Sequence, residues 1–304
     1  MMLMRHMKKI SPNKTSFLAD LGIHSLFIIF SLFCLIPFLL VLAVSFSDEA
    51  SITTFGYKLI PMKLSFSAYE MLFLDRLQII RSYGITILVT VAGMIISLIM
   101  ISTYAYPLYR KDFPFKGFFA MFLFITMLFS GGLVPFYILY TNYLHLKDSI
   151  IALILPYLLN PFYVIMMRTF FTSTIPDSVV ESAKIDGAKE FYILYKIIFP
   201  LSLPAFATIG LFNMLVYWND WFMSLLFISK QQNVSIQYYM YKVIMDLEFL
   251  LKNTMVFSNK AYADLPGETS RMAMAIIGIG PIVLAYPFLQ RYFIKGLTIG
   301  AVKG

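Results

Sequence analysis

Charge is what this 304-residue sequence lacks most. Asp, Glu, Lys and Arg supply 13% of it and apolar residues 60%, against about 25% and 45–50% in a soluble domain. Water cannot solvate that balance, which excludes a soluble globular domain and leaves an integral membrane protein. Cysteine is nearly absent. The single one, Cys34, lies inside an apolar run, so neither a disulfide framework nor a thiolate metal site is available. No ten-residue stretch alternates with period two, which argues against a β-barrel. No repeat or low-complexity tract stands out. No G-x-x-x-x-G-K-[ST] pattern is present, so this chain does not itself hold or hydrolyse ATP. Paired carboxylates and nucleophile–base patterns are missing from the apolar runs, so catalytic residues are not expected and the chain does not read as an enzyme. His24 and His145 have no second histidine at ligand spacing, and no metal site is expected. The net charge of +8 does not call for nucleic acid, because lysine and arginine excess in membrane proteins gathers in cytoplasmic loops.

What the chain has instead is six long, nearly charge-free runs, each near or above the roughly 20 residues that cross a bilayer as a helix. The expected fold class is all-α integral membrane, with six transmembrane helices at about 22–46, 83–108, 117–141, 149–171, 201–228 and 272–292, forming one domain over 1–304. Prolines and glycines inside them, such as Pro37, Pro135, Pro156 and Gly278, are tolerated because neighbouring helices re-satisfy freed backbone groups. The basic start (Arg5, Lys8, Lys9, Lys14) is followed by an apolar run too long for a signal peptide, so residues 1–20 read as an arm before a retained first span. With that arm inside, inner segments carry fourteen Lys and Arg against ten in the much longer outer ones, which places both termini in the cytoplasm. The outer loops, 48–81 and 230–271, mix charge with aromatics. They read equally as a packed external cap or as a partner-docking surface.

One segment does not match its surroundings. Between spans four and five, the predicted cytoplasmic loop 172–200 contains "ESAKIDGAKEFYILYKIIFP", with six charges from Glu181 to Lys196. From Pro176 the pattern predicts a short helix, capped by Asp177 or Ser178, with Glu181 at capping-box spacing from Ser178. Val179, Val180, Ala183, Ile185 and Ala188 form its apolar flank. Gly187 sits where a helix ends in the left-handed region. A second short helix, "KEFYILYKIIF", runs on to Pro200 and Pro204. Small side chains at Ser182, Ala183, Gly187 and Ala188 would admit another protein's backbone. From the residues alone, a docking element and an amphipathic hairpin lying on lipid are equally open.

The same residues resemble the EAA loop of bacterial ABC-importer permeases, a pattern of the form E-A-A-x-x-D-G-A followed by an isoleucine-rich turn and L-P. Glu181, Ser182, Ala183, Asp186, Gly187 and Ala188 match it, then Ile197, Pro200, Leu201 and Pro204, with serine replacing the second small residue. "AYPLYRKDFPFKG", "FSGGLVPFYILY", "YWNDWF" and the C-terminal "QRYFIKGLTIGAVKG" are similar to carbohydrate-uptake permeases of the maltose-permease kind, and more narrowly to an LplC/YtcP-like branch. The resemblance covers nearly the whole chain. It implies the type I ABC importer permease fold, in which the EAA helix-turn-helix is the coupling element seated on a cytoplasmic ATPase dimer. It also implies a second homologous permease completing a heterodimer, and an extracytoplasmic sugar-binding lipoprotein. ATP and Mg would sit on the partner ATPase, with no cofactor bound by this chain. The location implied is the bacterial cell membrane. The C-terminal tail would reach toward the ATPase or anchor its lysines at the interface.

For the solute path, the candidates are Asn213, Tyr217, Trp218, Asn219, Asp220 and Trp221, where aromatic rings meet amides and a carboxylate. Tyr137, Tyr140, Asn160 and Tyr163 are weaker ones. Trp and Tyr are also ordinary interface anchors, whereas asparagine in a span is costly and favours a pore-facing or inter-helix role. An ion- or proton-coupled secondary transporter is the alternative function. It would be expected to carry coupling carboxylates within the spans, and these are nearly absent. The expected outcome of Gly187→Asp, or of a bulky residue at Ala183, is a chain that inserts normally but fails in transport, read by uptake against abundance in membranes.

Overall fold

The computed structural model describes residues 17–257, 266–284 and 287. Among them the chain is helical throughout, with one isolated bridge pairing Ser47 and Leu64. The helices are α1 (Phe17–Ser45), α2 (Glu49–Phe55), α3 (Ser67–Leu72), α4 (Arg76–Tyr109), α5 (Lys116–Leu128), α6 (Leu133–Ile138), α7 (Ile151–Ile154) and α8 (Pro161–Thr174). There follow α9 (Asp177–Ile185), α10 (Glu190–Tyr192), α11 (Phe199–Leu201), α12 (Leu203–Trp218), α13 (Phe222–Phe227), α14 (Ile236–Phe257) and α15 (Gly267–Ile279). Most of the predicted arm 1–20, part of the outer loop 230–271, the end of the sixth predicted span and the C-terminal tail lie outside the described residues.

The chain divides into two compact units. In the first, residues 1–69 with 266–276, α1 presents Leu26, Phe30 and Phe33 with well over half of each exposed, a surface suited to hydrocarbon rather than water. After α1, Phe46 stacks on Tyr69 with ring centroids 4.9 Å apart. Glu49 then caps the start of α15: its carboxylate accepts the backbone N–H groups of Glu268 (2.9 Å) and Thr269 (3.0 Å) and the Thr269 hydroxyl (2.7 Å). An acidic side chain at a helix N-terminus satisfies orphan donors and complements the helix dipole.

The second unit, 70–265 with 277–304, is built on α4. This helix is 34 residues long, about 50 Å at 1.5 Å per residue. Its N-terminus is capped by Asp75, which accepts from Gln78 N–H. α12 packs along it closely because small residues lie in the contact. A Cβ at Gly93 would lie 2.5 Å from Cζ of Tyr217, and one at Gly210 would lie 3.3 Å from Leu98. Small residues that let backbones approach are the usual means of helix association in membranes. Around this pair, one apolar cluster gathers Ile101, Tyr109, Phe171, Ile193 and Ile209, and another gathers Val89, Leu153, Tyr217 and Phe227.

Among the described residues, two helical stretches are long and apolar enough to cross a bilayer by themselves, 20–45 and 67–109, and three bent pairs pass the same test together. The predicted third span, 117–141, is therefore not one straight helix. Lys116–Leu128 and Leu133–Tyr143 meet at 112°, where Gly132 adopts φ +84°, a conformation that glycine reaches without steric cost. α5 alone is about 20 Å long, short of the roughly 30 Å hydrocarbon core. The predicted fourth span bends by 52° because Asn160 caps a new helix, accepting from Phe162 N–H at 2.9 Å, and Pro161 takes the first position of α8. The fifth breaks after Trp218, before α13 begins at Phe222. Ahead of α12, Glu190–Leu201 turns by 85° into Leu203–Trp218. Ile193–Ile198 there forms a π-helical turn, next to Pro200, which lacks the N–H that a regular helix would use.

Because the Tyr217 ring is only 2% exposed and has nowhere to go, Gly93→Ala is expected to destabilise the protein by about 1–3 kcal/mol. A lowered melting temperature of the purified chain in detergent checks this, and Gly84→Ala, where nothing lies within 4 Å, serves as the neutral control.

Candidate functional site

The segment 177–198 folds as a helical hairpin seated on the end of α4. α9 starts after Pro176, which occupies the capping position in extended conformation with no side-chain cap. The capping box predicted from Ser178 and Glu181 does not form. Asp177 is instead the first helical residue, and its carboxylate pairs with Lys111 Nζ at 2.5 Å. The helix ends as Gly187, φ +79°, bonds its N–H to Lys184 O, while Ala188 N–H reaches Ala183 O, both at 3.0 Å. These are the left-handed C-terminal bonds that the D-G-A sequence suggests.

Its faces differ from expectation in two places. Val180 and Ala183 are buried with Phe171, Ile175, Ile193 and Leu194, so the small side chain of Ala183 fits the hairpin's own core rather than an outside partner. Ile185, predicted on the apolar flank, is 87% exposed. Glu181, Ser182, Asp186 and Gly187 are exposed and Ala188 is half-buried. Together with Ile185, they form a free knuckle carrying both charge and an apolar tip.

Beneath that knuckle lies a charge cluster that composition alone does not reveal. Asp112 accepts from Arg110 Nε at 2.9 Å and from Arg110 Nη2 and Lys184 Nζ at 2.6 Å each. Lys184 also reaches Glu190 at 2.9 Å, and the second oxygen of Glu190 accepts from the Tyr106 hydroxyl. Thus α9, α10, the last turn of α4 and the segment after it meet in one network. Hydrogen bonds from Arg110 and then Lys184 hold the Asp112 carboxyl well below the usual carboxylate range. Asp112, followed by Glu190, pushes Lys184 up. Burial pushes Glu190 up, but the bonds from Tyr106 and Lys184 outweigh it and its carboxyl titrates below the usual range. At neutral pH all the carboxylates and cations of the cluster are charged. Arg110, Lys111 and Asp112 were legible only as the run "RKD" after an apolar stretch, a lone acid between bases.

The solute-path candidates are dispersed by burial. Tyr217 is buried, its hydroxyl donating to Ile154 O at 2.9 Å, and Trp218 donates its indole N–H to Gly278 O at 3.1 Å. Both polar tips are already used inside the unit. Asp220 is half-buried and accepts from the Tyr157 hydroxyl at 2.8 Å. Asn219 is exposed and bonds back to Leu215 O at 2.8 Å. Trp221, 38% exposed, stacks on Tyr241 at 4.6 Å. Asn213 is 1% exposed, with its Nδ2 lacking a hydrogen-bond partner among the described residues. Of the weaker candidates, Asn160 caps α8, Tyr137 and Tyr140 stack on Phe227, and Tyr163 stacks on Phe212.

Comparison with known proteins defines the class to which this fold and knuckle belong. Residues 117–299 match the family described as binding-protein-dependent transport system inner membrane component, and the chain belongs to that family. Family membership sets aside the secondary-transporter alternative. The chain is 36% identical to the polygalacturonan/rhamnogalacturonan transport system permease protein YtcP of Bacillus subtilis (strain 168), over 94% of this chain and 99% of that one. Protein LplC of the same strain is 35% identical, with 89% and 90% covered. A crystal structure of a bacterial ABC transporter involved in the import of the acidic polysaccharide alginate superposes with a TM-score of 0.75. It shares 31% identity, with 93% of this chain and all of that one covered.

Because Ala183 is enclosed, Ala183→Leu is expected to overpack the hairpin seat at a cost of about 1–3 kcal/mol. The variant should melt earlier than wild type in detergent, unlike Ser182→Ala on the exposed side.

Proposed function

We propose that this chain is the permease subunit of an ATP-driven, binding-protein-dependent importer that moves a carbohydrate, of oligosaccharide size, into the cell by alternating access. The observation that carries the proposal is similarity along almost the full length to a permease whose name specifies polygalacturonan and rhamnogalacturonan transport. Six crossings are assigned, with the bent pairs 116–143 and 151–174 counting as one each, α12 with α13 as the fifth and the sixth beginning in α15; both termini are cytoplasmic. The hairpin of α9 and α10 is the coupling element, and Glu181, Ser182, Asp186, Gly187 and Ala188 meet the ATPase while Ala183 holds their shape from behind. ATP and Mg belong to that separate ATPase dimer. Its closure displaces the hairpin, and the permease helices rock between inward- and outward-facing states. A second homologous permease completes the pore as a heterodimer, and an extracytoplasmic binding lipoprotein delivers the solute. On this chain, Asn213, Asn219, Asp220 and Trp221 are the residues to test for solute contact. Tyr217 and Trp218 support them by packing.

The test is reconstitution in liposomes of this chain with its second permease, ATPase and binding lipoprotein. Uptake is measured with oligogalacturonides and a panel of neutral oligosaccharides. Uptake of at least one of these that requires both ATP and the binding protein is expected. Equal uptake by this chain alone without ATP would overturn the proposal.

A further inference from the structure

The charge cluster under the knuckle has a geometry that goes beyond holding a loop in place. Of three consecutive residues, Arg110, Lys111 and Asp112, two engage the hairpin at separate points: Lys111 at the first residue of α9, and Asp112 at Lys184 in its last turn. Lys184 in turn reaches across the Gly187 turn to Glu190 at the start of α10, where Tyr106 from the last turn of α4 is also bonded. Arg110 is the fixed end of this arrangement. It is the C-cap of α4, with its N–H bonded to Tyr106 O, its side chain only 11% exposed and its guanidinium 6.0 Å from the centre of the Tyr106 ring. Both ends of α9 are therefore tied to the terminus of the longest helix in the unit. Asp112 contacts the α4 cap and α9 together, through Arg110 and Lys184.

We infer that Asp112 is the positioning residue of the hairpin. Held between Arg110 and Lys184, it ties the Gly187 turn to the end of α4, so that a displacement of the knuckle moves α4 rather than being absorbed by the loop at 110–116. This inference rests on the coupling role given to the hairpin above. The apolar seat of Val180 and Ala183 holds the hairpin down but resists sliding weakly, because apolar packing is not directional. Charge-assisted hydrogen bonds to a paired carboxylate supply the missing direction. Isolated exposed ion pairs contribute little. Here one carboxylate serves two cations, and one of them is nearly enclosed, so the cluster acts as a network.

The test uses the complete importer in liposomes and reads solute molecules moved per ATP hydrolysed, with the oligosaccharide that passes the uptake panel as probe. Asp112→Asn keeps the shape and removes the charge. It is expected to lower the ratio about fivefold, the lower end of the range for coupling between sites, with complex abundance and ATP hydrolysis retained. Asp112→Glu restores the charge and is expected to restore most of the ratio. A purely structural role would lower abundance and leave the ratio alone. An unchanged ratio in Asp112→Asn overturns the inference. Should Asp112→Asn fail to assemble, Asp112→Cys with Lys184→Cys, in a Cys34→Ala background, is bridged by a short thiol-reactive linker. Recovery of the ratio on bridging supports the inference, and loss of transport on bridging overturns it. Gly187→Asp runs in parallel: if it too transports normally, the coupling role itself is wrong, whereas if it alone blocks transport, only the part given to Asp112 falls.

Discussion

The close contact between α4 and α12 is the interaction on which the rest of the second unit depends. In hydrocarbon there is no hydrophobic drive to bring helices together, so association relies on fit. Gly93 under the Tyr217 ring and Gly210 beside Leu98 provide that fit. With the two helices in place, the carbonyls of Ile154 and Gly278 receive the hydroxyl of Tyr217 and the indole of Trp218, which joins α7 and the end of α15 to the same pair. The hairpin follows from the other end of α4, where the apolar run stops and charges first become tolerable. The polar tips of Tyr217 and Trp218 are thus bonded to backbone carbonyls near helix ends.

How much of this was legible in the sequence depended on distance along the chain. Helical character and the apolar runs were plain from composition and charge spacing. The hairpin turn could be read from Asp186-Gly187 and from the prolines after it, since a left-handed glycine is a local demand. The bends were harder. Gly131 and Gly132 sit in an apolar run whose hydropathy does not register a change of direction. The capping box failed for a local reason, Pro176 already occupying the cap, and a non-local one, the pairing of Asp177 with Lys111. The same holds for Asp112 and Lys184, which are 72 residues apart in sequence and meet only after α4 and α8 have packed. Tyr217 and Trp218 have the composition of a sugar platform, yet their polar tips are turned to backbone carbonyls, which residue type cannot reveal.

The functional picture joins two kinds of knowledge. Family membership and near-complete similarity to named permeases define what the chain belongs to. The structure adds which side of α9 is free and which is enclosed. Of the small residues in the E-S-A-x-x-D-G-A stretch, Ala183 is small for the sake of its own core and Gly187 for the sake of backbone geometry. Ser182, exposed beside Glu181, is small on the open surface, as Ala188 is in part. A single motif thus satisfies three separate steric demands.

The π-helical turn at Ile193–Ile198 has a consequence of its own. Such a turn carries one residue more than a regular one, as if an insertion had been taken up without disturbing either side. The hairpin and α12 consequently belong to two different angular registers, joined by a joint with slack in its winding. Rewinding it as regular helix would rotate everything downstream by about 100°, swinging the Tyr217 face away from Gly93. The joint therefore sets the angular register between the hairpin and the packed helix α12.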